Sequence, residues 1–563
     1  MRNLSHTHES PEALLHGVHE FHKRKSYKTL SENILYRVFP RRFFIAMELL
    51  KKNIHMDYRK CGTLTQMTLE DDMNIPDKCP DVSKVLMNKG NVKLEEIKAT
   101  QDHVTLRGKF LFQVLYCSDE WNNRLSKVYG SIPFEEQVYL EGVSREDNVS
   151  ASAVIEDLTV GMINSRKINV QTVITWNVCV NELTDLETPV DVASQSPIEV
   201  CKEEMRVTGI GICKNDIFRI KEELELPSDM PNVEELIWES IRPENVTFKP
   251  MEEKIGISGE LRVFFMYIGE NDDMPVRYYG AAIPFHGEID CHNANSSMIP
   301  VITYELEGQE TEVRPDYDGE KRIFGMDLAM NLKICMYHED TVSVITDMYA
   351  VDHEMQLKVR PAKLQTLLMQ NEGSYKLGGR IRAGSPSAHI LQLLYTEAAA
   401  RVTGSRITSE GIEADGVLEV KGIYITGDDE MPYGVIHGNL PFRETIDAAE
   451  LNGDCNYQLV CQCDDVNVSM VDSEEIDVKA SVRIRAVVYD TREMNLIEDA
   501  SLAPPDYEKL GSLPGMAILL FEQGDTLWNV GKQYCLPVQR LREINGISDK
   551  KEPAPGSRIL IVK

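Results

Sequence analysis

Positive charge is what this sequence most lacks. Its 563 residues hold 60 Lys and Arg against 90 Asp and Glu, a net charge of −30. A nucleic-acid binder needs a broad face that neutralises phosphates, and an anionic membrane surface makes a similar demand, so neither partner is expected. Long apolar runs are also missing. The stretch after Arg41-Arg42 ends at Leu50, before Lys51-Lys52, too short for the apolar core of an export signal or for a membrane span. The expectation is a protein that stays in the cytoplasm where it was made, without membrane insertion.

Motifs that carry chemistry are absent as well. The 12 cysteines, at 61, 79, 117, 179, 201, 213, 291, 335, 455, 461, 463 and 535, contain no C-x-x-C, which argues against a metal cluster. Unpatterned thiols in a chain of this size read as small buried hydrophobes in a reducing compartment. The nearest pair, Cys461 and Cys463, would share one face of a strand with Cα atoms about 6.5–7 Å apart, at the edge of disulfide reach. There is no G-x-S-x-G, Walker loop, H-E-x-x-H or strand-linked G-x-G-x-x-G, and Gly209-Ile210-Gly211 lacks a third glycine. Asp71-Asp72, Asp272-Asp273, Asp428-Asp429 and Asp464-Asp465 lack the ligand spacing of a calcium loop and read as solvated loop acids. Neither enzyme activity nor a cofactor or metal is expected.

What is present is repetition. Hydrophobic content of 42% and charge of 27% suit a globular chain, and this length calls for several domains. Residues 1–46 stand apart: they hold five of the 13 histidines (6, 8, 16, 19 and 22), a basic excess and no sustained period. They read as a disordered or misread N-terminal extension. From Met47 onward a Pro-Phe step recurs at Pro133-Phe134, Pro284-Phe285 and Pro441-Phe442, spaced by 151 and 157 residues. Ahead of each lies a glycine opening an alternating apolar strand (Gly108–Tyr116, Gly259–Ile268, Gly416–Ile425), and behind each a longer one (Ile168–Val180, Ile323–Tyr337, Ile476–Tyr489). A Pro-x-x-x-Pro turn agrees: Pro76 and Pro80 match Pro227 and Pro231, with a worn copy around Pro386. Units of this size are domains rather than a solenoid.

Each copy predicts a β-hairpin (Glu203–Cys213 with Asp216–Leu224 in the second), the Pro turn and a short helix. The helices are expected at Val82–Met87, Val233–Ile241 and His389–Ala400, each followed by four or five strands of period two. The Pro-Phe segment belongs on an edge strand, with its Phe in the core. The fold class is multidomain and mainly β: three repeated β-rich (α+β) sandwich-like domains, at 47–195, 196–355 and 356–490. A linker over 491–515, marked by Pro504-Pro505 and Pro514-Gly515, would leave the last module, 516–563, free to reorient.

In that last module an apolar run, Met516–Phe521, leads to Gly524-Asp525-Thr526-Leu527-Trp528. Gly524 permits a sharp turn and Asp525 can cap the helix after it. Leu527, Val530 and Tyr534 share a helix face; Pro537 opens a second helix with Val538, Leu541 and Ile544 inside. Asn545-Gly546 supplies a left-handed stop, and Pro555-Gly556 turns into a closing strand, Arg558–Val562.

This βααβ stretch resembles the LysM domain, a small glycan-binding module. Cys535 stands where that family usually has Gly or Asn, and the first strand is more apolar than most. The resemblance implies that N-acetylglucosamine glycan lies in a shallow groove lined by Gly524, Asp525, Thr526, Asn545, Ile547 and Pro555. Leu527, Trp528 and Ile547 nearby could serve a protein partner as well as a sugar, although Trp528 is expected in the module's core, and capping alone would account for Asp525, Asn545 and Gly546.

The three copies, with Ile75-Pro76-Asp77 through Pro80-Asp81-Val82 and the Pro-Phe step, resemble SPOCS (spore-coat-associated) domains. Together with the LysM-like end they are similar to SipL-like spore-coat morphogenetic proteins. That resemblance implies a non-enzymatic adaptor of coat assembly. Its implied partner is the ATPase of the coat basement layer on the forespore surface, in the mother-cell cytoplasm; the alternative is a peptidoglycan-binding protein of cortex or wall.

Overall fold

The computed structural model describes residues 47–119, 124–270, 276–384, 389–428, 430–448, 451, 455–548 and 551–563. The N-terminal extension with its five histidines, Asp272-Asp273, Asp429 and the worn turn around Pro386 lie outside the described residues.

Three repeats share one plan. The first contains β1 (Met47–Asn74), β2 (Lys84–Thr100), β3 (His103–Ser118), β4 (Arg124–Tyr139), β5 (Val149–Asn164) and β6 (Lys167–Ser194). The second contains β7 (Ile198–Glu225), β8 (Val233–Met251), β9 (Lys254–Gly269), β10 (Val276–Asp290), β11 (Ile299–Pro315) and β12 (Lys321–Ala350). The third contains β13 (Glu354–Arg382), β14 (Gln392–Ile407), β15 (Gly411–Ile425), β16 (Tyr433–Asp447), β17 (Asn456–Met470) and β18 (Glu475–Ala503). Each repeat makes two three-stranded antiparallel sheets: a small one ordered β2-β3-β4, β10-β9-β8 or β14-β15-β16, and a long one ordered β1-β6-β5, β11-β12-β7 or β13-β18-β17.

The sheets of a repeat face each other because their strands alternate. In β6, Ile168, Val170, Ile174, Trp176, Val178 and Val180 all point inward and are at most 1% exposed. In the second repeat Phe265 of the small sheet stacks on Phe324 of the long one at 4.2 Å. The Pro-Phe step lies inside edge strands β4, β10 and β16, where a missing N–H costs no ladder bond. Phe134, Phe285 and Phe442 are buried and sit directly across from Gly108, Gly259 and Gly416.

The helix expected at the start of each small sheet is not there; the chain is strand from Lys84, Val233 and Gln392 onward. Its apolar clustering has another cause. A register shift places an extra residue, Leu86, Ile237 or Leu394, opposite the central strand, so two consecutive side chains turn inward. Leu86-Met87, Ile237-Trp238 and Leu394-Tyr395 then meet in a cluster common to all three repeats. Two adjacent inward residues imitate a helical period.

The hairpin expected around Lys214-Asn215 is likewise one continuous strand, β7. It is an edge strand, so a polar pair in its middle faces water, and its only interruption is a bulge at Gly211 where the register against β12 shifts. Long strands of this kind do two jobs. One half closes the repeat's own core. The other half, with Ile54 and Leu186, Val207 and Val344, or Leu364 and Leu496, joins a second cluster shared by the three ribbons. The linker expected from 491 is corrected for the same reason: Thr491–Ala503 is the outer half of β18, paired with Glu354–Gln365 of β13.

Asp464 is no solvated loop acid either. It is buried in β17 and accepts from Arg483 Nε at 3.0 Å. Asp71 and Asp72 lie in β1, where Asp72 pairs with Lys167 at 2.7 Å.

Candidate functional site

The C-terminal module follows a six-residue helix α1 (Tyr507–Ser512), and comprises β19 (Met516–Leu520), α2 (Leu527–Tyr534), α3 (Val538–Asn545) and β20 (Arg558–Val562). β19 and β20 pair antiparallel, and Phe521, Leu527, Val530, Leu536, Leu541, Ile559 and Ile561 form the core between them and the helices.

Two loops stand side by side at one end, 521–526 and the described residues 547–548 and 551–557. Gly524 takes φ +99°, a conformation open to glycine. Asp525 closes that turn, its carboxylate accepting from the Glu522 N–H at 2.8 Å. The helix cap is instead Thr526, whose hydroxyl accepts from the Asn529 N–H at 3.1 Å, so the capping expected of Asp525 moves one residue on. Glu552 ties the loops together: one carboxylate oxygen accepts from the Leu527 N–H at 2.8 Å, the other from Arg542 at 2.7 Å. Arg542 also donates to the Ser548 and Lys551 carbonyls. The Gly556 N–H donates to the Phe521 carbonyl at 2.7 Å and completes the junction.

Of the residues expected to line a groove, Gly524 and Pro555 are exposed, and Asp525, Thr526 and Ile547 are half-buried. Leu527 is fully buried in the core and offers no contact surface. Asn545 is also engaged: its amide donates to the Leu541 and Leu560 carbonyls and accepts from the Leu560 N–H, fixing α3 to β20.

The opposite side of α2 is fastened to the repeats. Trp528 Nε1 donates to Asp347 at 2.8 Å, and Lys532 Nζ reaches both oxygens of the same carboxylate. Trp528 meets Tyr349 edge-on at 4.9 Å, and the Tyr349 hydroxyl donates to the Leu536 carbonyl at 2.7 Å. Burial pushes that hydroxyl well above the usual phenol range, so it remains a donor. A bulge in β12 at Thr346 resets the alternation and places Asp347 and Tyr349 on the face that receives α2. Gly531 is needed at the contact, since a Cβ there would lie 2.5 Å from the Tyr349 oxygen. Trp528 is therefore a contact between module and body, not part of the module's core, and the module is docked rather than loosely tethered.

Among known protein families, the model described as SipL, SPOCS domain matches residues 81–163, 232–314 and 389–471, and the LysM domain model matches 522–562. The chain has the SipL architecture: three SPOCS domains and one LysM domain. No curated protein and no solved structure matches. The SPOCS matches begin 151 and 157 residues apart, the spacing of the Pro-Phe steps, and each spans β2–β5 or its equivalents. The long first and last strands of each repeat, β1 and β6, β7 and β12, and β13 and β18, lie outside the matched segments. The docking residues Asp347 and Tyr349 are therefore on the last strand of the second repeat, beyond its SPOCS match.

Sequence reasoning missed this dock because its halves are about 180 residues apart. It also missed Arg166 and Arg322, which hold the Pro turns. Arg166 donates to the carbonyls of Ile75, Pro76 and Cys79 and to Asp81; Arg322 donates to those of Leu226, Pro227 and Met230 and to Asn232. In the third repeat the corresponding backbone contact, from Ala383, falls on Glu474. A carboxylate cannot donate to carbonyls. The worn turn and the lost arginine go together.

SPOCS and LysM domains are binding domains, and their combination is that of a spore-coat-associated protein. No helix among the described residues is long and apolar enough to cross a membrane.

Proposed function

We propose that the protein is a non-enzymatic adaptor of coat assembly, presenting its LysM groove to the basement-layer ATPase on the forespore surface, from the mother-cell cytoplasm. The observation that carries this reading is the mode of docking. Helix α2 is fastened to β12 through Asp347 and Tyr349, while Gly524 and Pro555 on the loop side remain exposed. A wall tether gains from a flexible stalk that can search for sugar, whereas an assembly adaptor gains from fixed geometry between its surfaces. The contact surface assigned to the groove is Gly524, Asp525, Thr526, Ile547 and Pro555.

Peptidoglycan binding is the second reading, favoured by the same exposed loops. One shallow groove on a short N-acetylglucosamine glycan would supply only ~4–7 kcal/mol, roughly millimolar to ten micromolar. Pull-down with the full chain separates the two. The adaptor reading expects recovery of the ATPase, weakened by Asp525→Ala and by Ile547→Ala. Retention on purified peptidoglycan with no protein partner recovered would establish the second reading in its place.

A further inference from the structure

Cys213 and Cys335 lie directly opposite each other in the ladder between β7 and β12, with their sulfurs 3.6 Å apart. Cys213 is exposed and Cys335 is buried. The other close cysteines are placed differently. Cys61 faces Val180 and Cys179 faces Gly62, so these two are one register step apart and point to opposite faces of the ribbon. Cys461 and Cys463 share one strand, opposite Ile484 and Val482, a spacing at the limit of disulfide geometry.

We propose that Cys213 and Cys335 are a redox modification site, in which a hydroperoxide converts the facing thiols to a disulfide that locks the second SPOCS repeat shut. The hydrogen bond from Cys335 draws the Cys213 thiol below its usual range, against the effect of burial and of Asp57, with Lys333 assisting. The same pairing, with burial, pushes Cys335 up. The accessible sulfur is thus the better nucleophile and its buried neighbour the resolving thiol.

The Cys213 thiolate attacks one peroxide oxygen. The O–O bond breaks, the other oxygen leaves as hydroxide and takes up a proton, and Cys213 becomes a sulfenic acid. The Cys335 sulfur, giving up its proton, then attacks the Cys213 sulfur; the S–O bond breaks and the oxygen leaves as water. Two thiols are oxidised and one hydrogen peroxide is reduced to two waters. The new bond spans 122 positions and encloses β8, β9, β10 and β11, joining the strand that enters the repeat to the strand that leaves it. A loop of that length should restrict unfolding strongly.

The test treats reduced full-length protein with stoichiometric hydrogen peroxide and maps peptides without reduction. The expected result is a Cys213–Cys335 crosslink, reversed by dithiothreitol. It should come with a melting temperature raised by roughly 5–10 °C in the oxidised chain. Cys213→Ser, at an exposed position, should abolish both, and Cys201→Ser on the same strand should change neither. Two results would overturn the site: Cys213 and Cys335 still free, or separately over-oxidised, while other thiols react; or a crosslink whose formation leaves the melting temperature unmoved. The wild-type map decides the first without reliance on any variant's folding.

Discussion

At the scale of single residues, the firmest mark of the repeat is a glycine facing a phenylalanine. A Cβ on Gly259 would lie 2.8 Å from the Phe285 ring and 3.1 Å from the Glu244 carbonyl; on Gly108 it would lie 2.9 Å from the Phe134 ring, and on Gly416 2.7 Å from the Arg401 carbonyl. The buried ring tip occupies the space a side chain would fill, with backbone behind it, so neither ring nor backbone can yield cheaply. Gly259→Ala is expected to destabilise by about 1–3 kcal/mol in denaturant melts. Coupling it to Phe285→Leu should recover part of that loss, and simple additivity would show that the ring is not the obstacle. Cys535 poses the opposite case. It ends α2 with φ 53° and ψ 48°, a left-handed conformation that suits glycine. Cys535→Gly should stabilise the LysM domain by roughly 0.5–1 kcal/mol, seen as slower amide exchange in α2. Both features were visible in the sequence, the first as recurring Gly and Pro-Phe landmarks and the second as a departure from the LysM pattern.

At the scale of elements, the sequence disclosed strand positions better than strand lengths. Alternation located β3, β9 and β15, but nothing local says that β7 continues through Lys214-Asn215, because an exposed edge tolerates residues that elsewhere make turns. Bulges at Leu86, Ile237 and Leu394 concealed strands as helices, since a bulge breaks the period of two on which strand reading depends. The long ribbons also bring groups together that no spacing announces. Asp57 of β1 accepts from Tyr337 of β12 at 3.3 Å and from Asn181 of β6 at 3.4 Å, and its other carboxylate oxygen is buried without a partner. Burial raises its pKa, with Lys333 and these hydrogen bonds opposing. An acid whose folded pKa is raised favours folding when protonated. That contribution is complete below the unfolded pKa and lost as pH rises through the folded one. Asp57→Asn, permanently neutral, should therefore melt higher than the parent at pH 7–8, with the gain shrinking toward pH 4. A pH-independent difference would place the effect in packing instead.

At the scale of the whole molecule, the three repeats form one body through three shared apolar clusters, and the LysM domain is held against it by polar contacts to Asp347 and Tyr349. The LysM domain itself was legible through its family pattern, though Leu527 and Asn545, expected to line a groove, are committed to the module's own structure. The dock was not legible, because an aspartate on a long strand carries no sign of the tryptophan it will meet. Its weight can be estimated. A hydrogen bond to a charged acceptor contributes about 1.5–3 kcal/mol when shielded, and the Asp347 side chain is 30% exposed, so solvent screening brings this nearer 1 kcal/mol. Asp347→Ala should thus open the dock several-fold without unfolding either partner. Hydroxyl-radical footprinting would register Trp528 and Tyr349 as newly reactive, and limited proteolysis would cut faster between Ala503 and Met516. Asp347→Asn keeps an acceptor for the indole but loses the pair with Lys532, and should fall between the two. If the proposed adaptor role holds and fixed geometry matters to it, Asp347→Ala should bind the proposed ATPase partner as tightly as the parent in solution yet fail to organise it on a surface. Unchanged footprints in Asp347→Ala would mean that the Tyr349 hydrogen bond to Leu536 and the packing around Gly531 hold the LysM domain in place without Asp347.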